Sequence, residues 1–108
     1  MVVLFLFMDA HIYILYSAKI DKFYIGSTEL EPKARLDLHL NKKYGQSKYT
    51  AQTDDWTLFF SHHCEHLNQA KRIEAHIKKM KSKVYILNLK KYPEMITRLL
   101  ISNLGSSR

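Results

Sequence analysis

A chain of 108 residues with 46% hydrophobic and 25% charged residues can bury one core but not two, and its composition excludes an intrinsically disordered protein. Seventeen Lys and Arg against ten Asp and Glu leave a charge of +7, a surplus whose usual partner is a polyanion such as nucleic acid, with a merely solvated basic surface as the equal alternative. One cysteine, Cys64, excludes an internal disulfide and a CxxC zinc site, which fits a reducing cytoplasm.

The leader MVVLFLFM is too short for a membrane span and lacks the basic start and cleavage site of a signal peptide. Residues 1–9 are therefore expected to be an apolar extension, or partly residues ahead of a true start at Met8, on a single domain over 10–108. Residues 12–16 are all apolar or aromatic and predict a buried strand. Residues 17–22 are polar and hairpin-length. A second short strand, 23–25, ends at Gly26, where a missing β-carbon admits close approach. Ser27 and Thr28 are candidate caps, and Glu31 with Pro32 reads as the first turn of a helix running to about Asn41. Residues 42–55 form a polar loop holding Gly45, and 56–62 predict a third strand. The strongest helical period covers 67–81, where Leu67, Ala70, Ile73, Ile77 and Met80 fall within an arc of about 140° and are expected to face the core. From Val84 the chain runs through YILNL, to which the pattern assigns no element, into a helix begun by Pro93, continuing through Leu100 and stopped by Gly105. The order strand, strand, helix, strand, helix, helix predicts a small sheet covered by helices.

Several residues break this pattern. Tyr13 and Tyr24 carry hydroxyls at strand positions that phenylalanine would fill as well. Glu74 falls inside the apolar arc of its helix, where a carboxylate costs several kcal/mol, on the order of a lost ion pair, unless a cation or metal meets it. The plainer reading places it at the arc's edge, reaching solvent or paired with a lysine. Arg35 and His39 lie four apart on one helix face, a combination suited to gripping phosphate and moving a proton, or simply two polar residues at an amphipathic boundary. Lys71, Arg72, Lys78, Lys79, Lys81, Lys83, Lys90 and Lys91 make a basic stripe able to follow a phosphate backbone, or a solvated face. HHCEH at 62–66 invites a zinc reading, but alternate strand residues point to opposite faces, so a strand end and loop is expected.

In order and spacing these residues resemble the GIY-YIG nuclease domain over 10–95, and most of all its small stand-alone bacterial members. His11-Ile12-Tyr13 and Tyr24-Ile25-Gly26 match the two halves of the signature, Arg35 in ARLDLH the family's helix arginine, and His39 a histidine that several branches place one turn later. Glu74 in RIEAHIKKM matches the metal-binding glutamate, with SKYT, DW and NLKKYPEMI as further similar wording. The resemblance implies an α+β fold, a three-stranded mainly antiparallel sheet flanked by helices, with the active site on one sheet face. It also implies phosphodiester hydrolysis with one divalent cation, Mg2+ or Mn2+, held by Glu74. On that basis Tyr13 is expected to take the proton of the attacking water with His39 as relay, Tyr24 to orient water or phosphate, and Arg35 to stabilise developing charge. Gly26, Ser27 (with Thr28 beside it), Lys78, Lys79, Lys81, Lys83 and Asn88 are the expected nucleic-acid contacts. His11 stands where the signature has glycine, and position 27 lacks the lysine of some branches. No targeting module is visible, which implies cleavage that is weak, structure-selective or dependent on a protein partner. DNA is expected over RNA, in the cytoplasm and away from membranes. The competing readings are a basic nucleic-acid-binding module that keeps the fold without cleaving, and a fold-only interaction protein.

Overall fold

The strand β1, Ala10–Ser17, is apolar at nearly every position because it is covered on both faces. It is the central strand of a three-stranded antiparallel sheet ordered β2-β1-β3, where β2 is Lys22–Thr28 and β3 is Thr57–Cys64. The computed structural model describes residues 9–41 and 49–104. The leader, Gly45 and Gly105 lie outside the described residues.

Pairing of Tyr13 with Gly26 and of Leu15 with Tyr24 fixes which side chains share a face. On one face Ile12, Ile14 and Ile25 pack under Ala70, Ile73 and Ile77 of α2 (Leu67–Met80), with Ile86 and Leu89 of α3 (Lys83–Lys91) and Ile96 of α4 (Pro93–Ser102). On the other face Tyr13, Leu15 and Trp56 form a smaller cluster with Tyr24, Leu36 and Leu40, beneath α1 (Pro32–Leu40). A register shift between Ile14 and Leu15 sets Ile14 opposite Phe60 and Leu15 opposite Leu58.

The expected three-stranded α+β architecture is the one observed, with four differences. The helix α1 is capped by Glu31, whose carboxylate accepts from Lys33 N at 2.9 Å, and not by Ser27 or Thr28, which complete β2. The strand β3 runs through Cys64, so HHC is strand rather than loop. Met80 is 44% exposed, because α2 ends there and Lys81 turns the chain in a left-handed conformation with φ of 49°. The segment YILNL is part of α3, capped by Ser82, whose hydroxyl accepts from Tyr85 N. Its period is obscured because exposed apolar Val84 and Leu87 are interleaved with buried Ile86 and Leu89. Among the described residues no helix is long and apolar enough to cross a membrane.

Candidate active site

The cross-strand pair Tyr13 and Gly26 is where the site begins. A β-carbon on residue 26 would lie 2.6 Å from both Cζ and the hydroxyl oxygen of Tyr13, so the glycine is the seat of that ring. Tyr13 is 1% exposed. Its hydroxyl meets α1, where i, i+4 spacing carries Arg35 and His39 to one face. Arg35 Nε donates to the Tyr13 oxygen at 3.4 Å, and His39 Nε2 lies 2.9 Å from the same oxygen.

Burial pushes the Tyr13 phenol up to about 12, with the Arg35 hydrogen bond pulling the other way and the nearby Tyr24 hydroxyl adding to the rise. Burial, helped by the Arg35 charge, holds the His39 imidazole down to about 4. At neutral pH the phenol is therefore protonated and the imidazole neutral. With Arg35 donating to the oxygen, the phenol proton is directed at Nε2 of His39.

Tyr24 sits edge-on to His39, with ring centroids 5.1 Å apart, and 6.2 Å from the ring of Tyr13. It is half-buried and lines a cavity of about 720 Å³ along β2, shared with Lys22, Tyr49, Lys78, Lys81 and Lys83. Because β2 is a sheet edge, this cavity wraps around it from the α1 face to the α2 face.

Glu74 lies on that second face. Its Oε1 accepts from the Ser27 hydroxyl at 2.7 Å, and its Oε2 from Lys78 Nζ at 2.6 Å. The side chain is 21% exposed, so the carboxylate stands at the edge of the apolar arc, paired with a lysine, as the plainer reading has it. The expected residues thus form two groups, Tyr13, Tyr24, Arg35 and His39 on one face, Glu74 with Ser27 and Lys78 on the other. This corrects the expectation of a site confined to one sheet face. The physical reason is alternation: Tyr24 and Gly26 point one way from β2, and Ile25 and Ser27 the other.

The basic stripe is also divided. Lys78, Lys81 and Lys83 border the cavity, while Lys79 is exposed and is not among its lining residues. Lys83 Nζ additionally holds the Asp21 carboxylate at 2.8 Å, and Lys90 lies over the ring of Phe59. Asn88 is half-buried on α3, where its carbonyl accepts from Tyr92 N at 2.8 Å; no hydrogen bond described links its side chain to either group.

Sequence reading missed the aromatic wall behind Tyr24. Tyr49 stacks on Trp56 at 26° with centroids 6.1 Å apart, donates to Phe23 O at 2.8 Å, and Trp56 Nε1 donates to Thr50 O. The similar wording of SKYT and DW was the available signal. Asp55, beside Trp56, accepts from the Ser17 hydroxyl, from Thr53 Oγ1 at 2.7 Å and from Lys19 N at 2.9 Å, and these bonds, Ser17's first, hold its carboxyl down to about 2. The histidines of HHCEH are engaged locally. His63 Nε2 meets Asp9 at 2.9 Å and His66 caps α2 by accepting from Gln69 N. Among the described residues no group of three or more His, Cys, Asp or Glu could cage a metal.

The family model for the GIY-YIG catalytic domain matches residues 9–91, most of the chain. No curated protein and no solved structure matches. The paired strands that bring Tyr13 and Tyr24 together, the arginine helix behind them and the sheet they stand on are the parts of that domain, and the chain belongs to the GIY-YIG catalytic domain family, whose function is of the nuclease type, hydrolysis of phosphodiester bonds in a nucleic acid.

Proposed function

We propose that this protein is a metal-dependent endonuclease of DNA, with the substrate strand lying along the β2 edge. The observation that carries the reading is the Tyr13 hydroxyl held between Arg35 Nε and His39 Nε2, a phenol with both a cation and a proton acceptor at hand. The donor set at Glu74 fits a small hard cation. It offers one carboxylate with a hydroxyl beside it, and Mg2+ or Mn2+ would complete such a site with water and substrate phosphate oxygens. When bound, the cation supplies charge neutralisation at the scissile phosphate and its leaving oxygen.

The chain's own residues do the rest. Tyr13 is sealed from the cavity, so Tyr24, which reaches it, orients the attacking water and passes its proton inward. Tyr13 accepts that proton as its own moves to His39 Nε2 in step with attack on phosphorus; the imidazolium so formed is strongly acidic in its buried site and gives the proton back along the same chain to the leaving oxygen, restoring the phenol and the neutral imidazole. Arg35 stabilises negative charge as it forms. Lys22, Lys78, Lys81 and Lys83 position the backbone, with Gly26, Ser27, Lys79 and Asn88 as further contacts. The protein is placed in the cytoplasm, with cleavage that is weak, structure-selective or directed by a protein partner.

The test is cleavage of labelled DNA and RNA, single-stranded, duplex, flapped and branched, by wild type and Glu74→Ala, with Mg2+, Mn2+ or EDTA. Metal-dependent cutting of DNA by wild type and none by the variant is expected. A lack of cutting with salt-sensitive binding retained in both proteins supports the second reading, a binding module, which the lysine-lined cavity alone would serve.

A further inference from the structure

Glu74 already holds a cation. Lys78 Nζ lies 2.6 Å from Oε2, while the Ser27 hydroxyl occupies Oε1. Lys78 also borders the β2 cavity, together with Tyr24, Lys22, Lys81 and Lys83. It is thus the one lysine of that wall bonded to the proposed metal ligand.

We propose that Lys78 is a placeholder that exchanges between Glu74 and substrate phosphate, coupling metal binding to nucleic-acid binding. The inference rests on the reading of Glu74 as the metal ligand. An ammonium and a divalent cation cannot share Oε2 at contact distance, because two positive charges a few ångströms apart repel strongly where water is partly excluded. The metal must therefore displace Lys78. Its side chain is 51% exposed on a flexible four-carbon stem, so the head can swing away without backbone movement. The cavity it borders is where a phosphate would receive it. A strand in the cavity draws Lys78 off Glu74 and favours the metal, and the metal releases Lys78 to the strand; the two effects are equal by linkage.

An i, i+4 pair of this kind on an open helix face would be ordinary surface decoration. Here the carboxylate is mostly covered, its other oxygen is locked by a residue of β2, and the lysine stands at the cavity wall. In the free protein the pairing also keeps a partly buried carboxylate compensated.

Mn2+ binding followed by electron paramagnetic resonance in the free protein tests the exchange directly. Lys78→Met is expected to bind Mn2+ roughly two- to fivefold more tightly than wild type, the size of a partly exposed ion pair, and Lys78→Arg to stay at the wild-type value. In a Tyr13→Phe background, which prevents turnover, Mn2+ is expected to tighten binding of a labelled oligonucleotide, read by anisotropy, and Lys78→Met to remove most of that gain. Equal Mn2+ affinity in wild type and Lys78→Met, with Glu74→Gln binding none, overturns the placeholder while leaving the metal site standing. Absence of Mn2+ binding in wild type and Lys78→Met alike overturns both.

Discussion

Substituting Gly26 by alanine tests whether the glycine of the second signature half is there to seat a tyrosine. The added β-carbon would lie 2.6 Å from Tyr13 Cζ and hydroxyl and 2.8 Å from Cε1. An ordinary contact needs 3.4 Å or more, so the ring must retreat by about 0.8 Å. It has little room, being 1% exposed and backed by His39 and Arg35. The same retreat spoils the geometry of the 2.9 Å bond to His39. Overpacking of this kind costs about 1–3 kcal/mol and a lost buried hydrogen bond about 1 kcal/mol more. Against these stands about 0.5–1 kcal/mol gained by removing a glycine from a strand. The net is a loss of about 1–3.5 kcal/mol, or roughly 5–25 °C in Tm for a domain of this size. Thermal melts and urea titrations of Gly26→Ala should show it, together with loss of cleavage. The same substitution in a Tyr13→Leu background, where the clashing atoms are gone, should be neutral or stabilising. Equal costs in the two backgrounds, or a Gly26→Ala protein as stable as wild type, would refute the seating argument.

Tyr13→Phe keeps the ring and removes the hydroxyl, leaving His39 Nε2 facing a carbon and Arg35 Nε without its acceptor, so a loss of about 1–3 kcal/mol in urea unfolding is expected along with abolished cleavage; a variant that still cleaves at the wild-type rate removes Tyr13 from the relay. The His39 imidazole, lowered from 6.5 to about 4, binds a proton in the unfolded chain before it does so in the fold. Stability should therefore be complete above pH 6.5 and fall as the pH drops toward 4, by on the order of 3 kcal/mol from this group, with His11, also lowered by burial, adding in the same direction. Denaturant titrations between pH 4 and 7.5 should show a steeper slope for wild type than for His39→Gln, and parallel curves would contradict the assignment. Asp55→Asn replaces a charged acceptor of three donors by an amide and should lower Tm, with the Ser17→Ala effect largely abolished in its presence; additive effects would mean the two residues act separately.

The layered fold was legible because its strongest signals are periodic. Apolar β1 announced a strand covered on both faces, and the spacing of Ala70, Ile73 and Ile77 announced the helix that covers one of them. What escaped the pattern were elements set by single contacts. The cap of α1 is Glu31 because the Thr28 hydroxyl accepts from Leu30 N and turns the chain first, so capping falls three residues after Thr28. The helix α3 spans nine residues and buries Ile86 and Leu89, too short a stripe to stand out beside exposed Val84 and Leu87.

The candidate site divides along the same line. Arg35 and His39 could be paired from their spacing alone, since four residues make one helical turn, and the structure carries both to Tyr13. The place of Glu74 could not be read that way, because it depends on strand order. Only with β1 in the middle does β2 become an edge, and only an edge lets a cavity join side chains from opposite faces of one strand. Tyr24 and Ser27, three residues apart on β2, necessarily point to different faces, so the tyrosine group and the carboxylate group cannot meet across the sheet. Of the two groups, only Tyr24 and Lys78 line the cavity at that edge. The free edge that most sheets must protect is here lined by Lys22, Lys78, Lys81 and Lys83, charges that discourage pairing with another strand and attract a phosphate backbone. On the proposed reading, the chain's surplus of positive charge is useful where it is, because lysines on the wall of an edge strand would draw a ligand alongside it without occupying either face of the sheet.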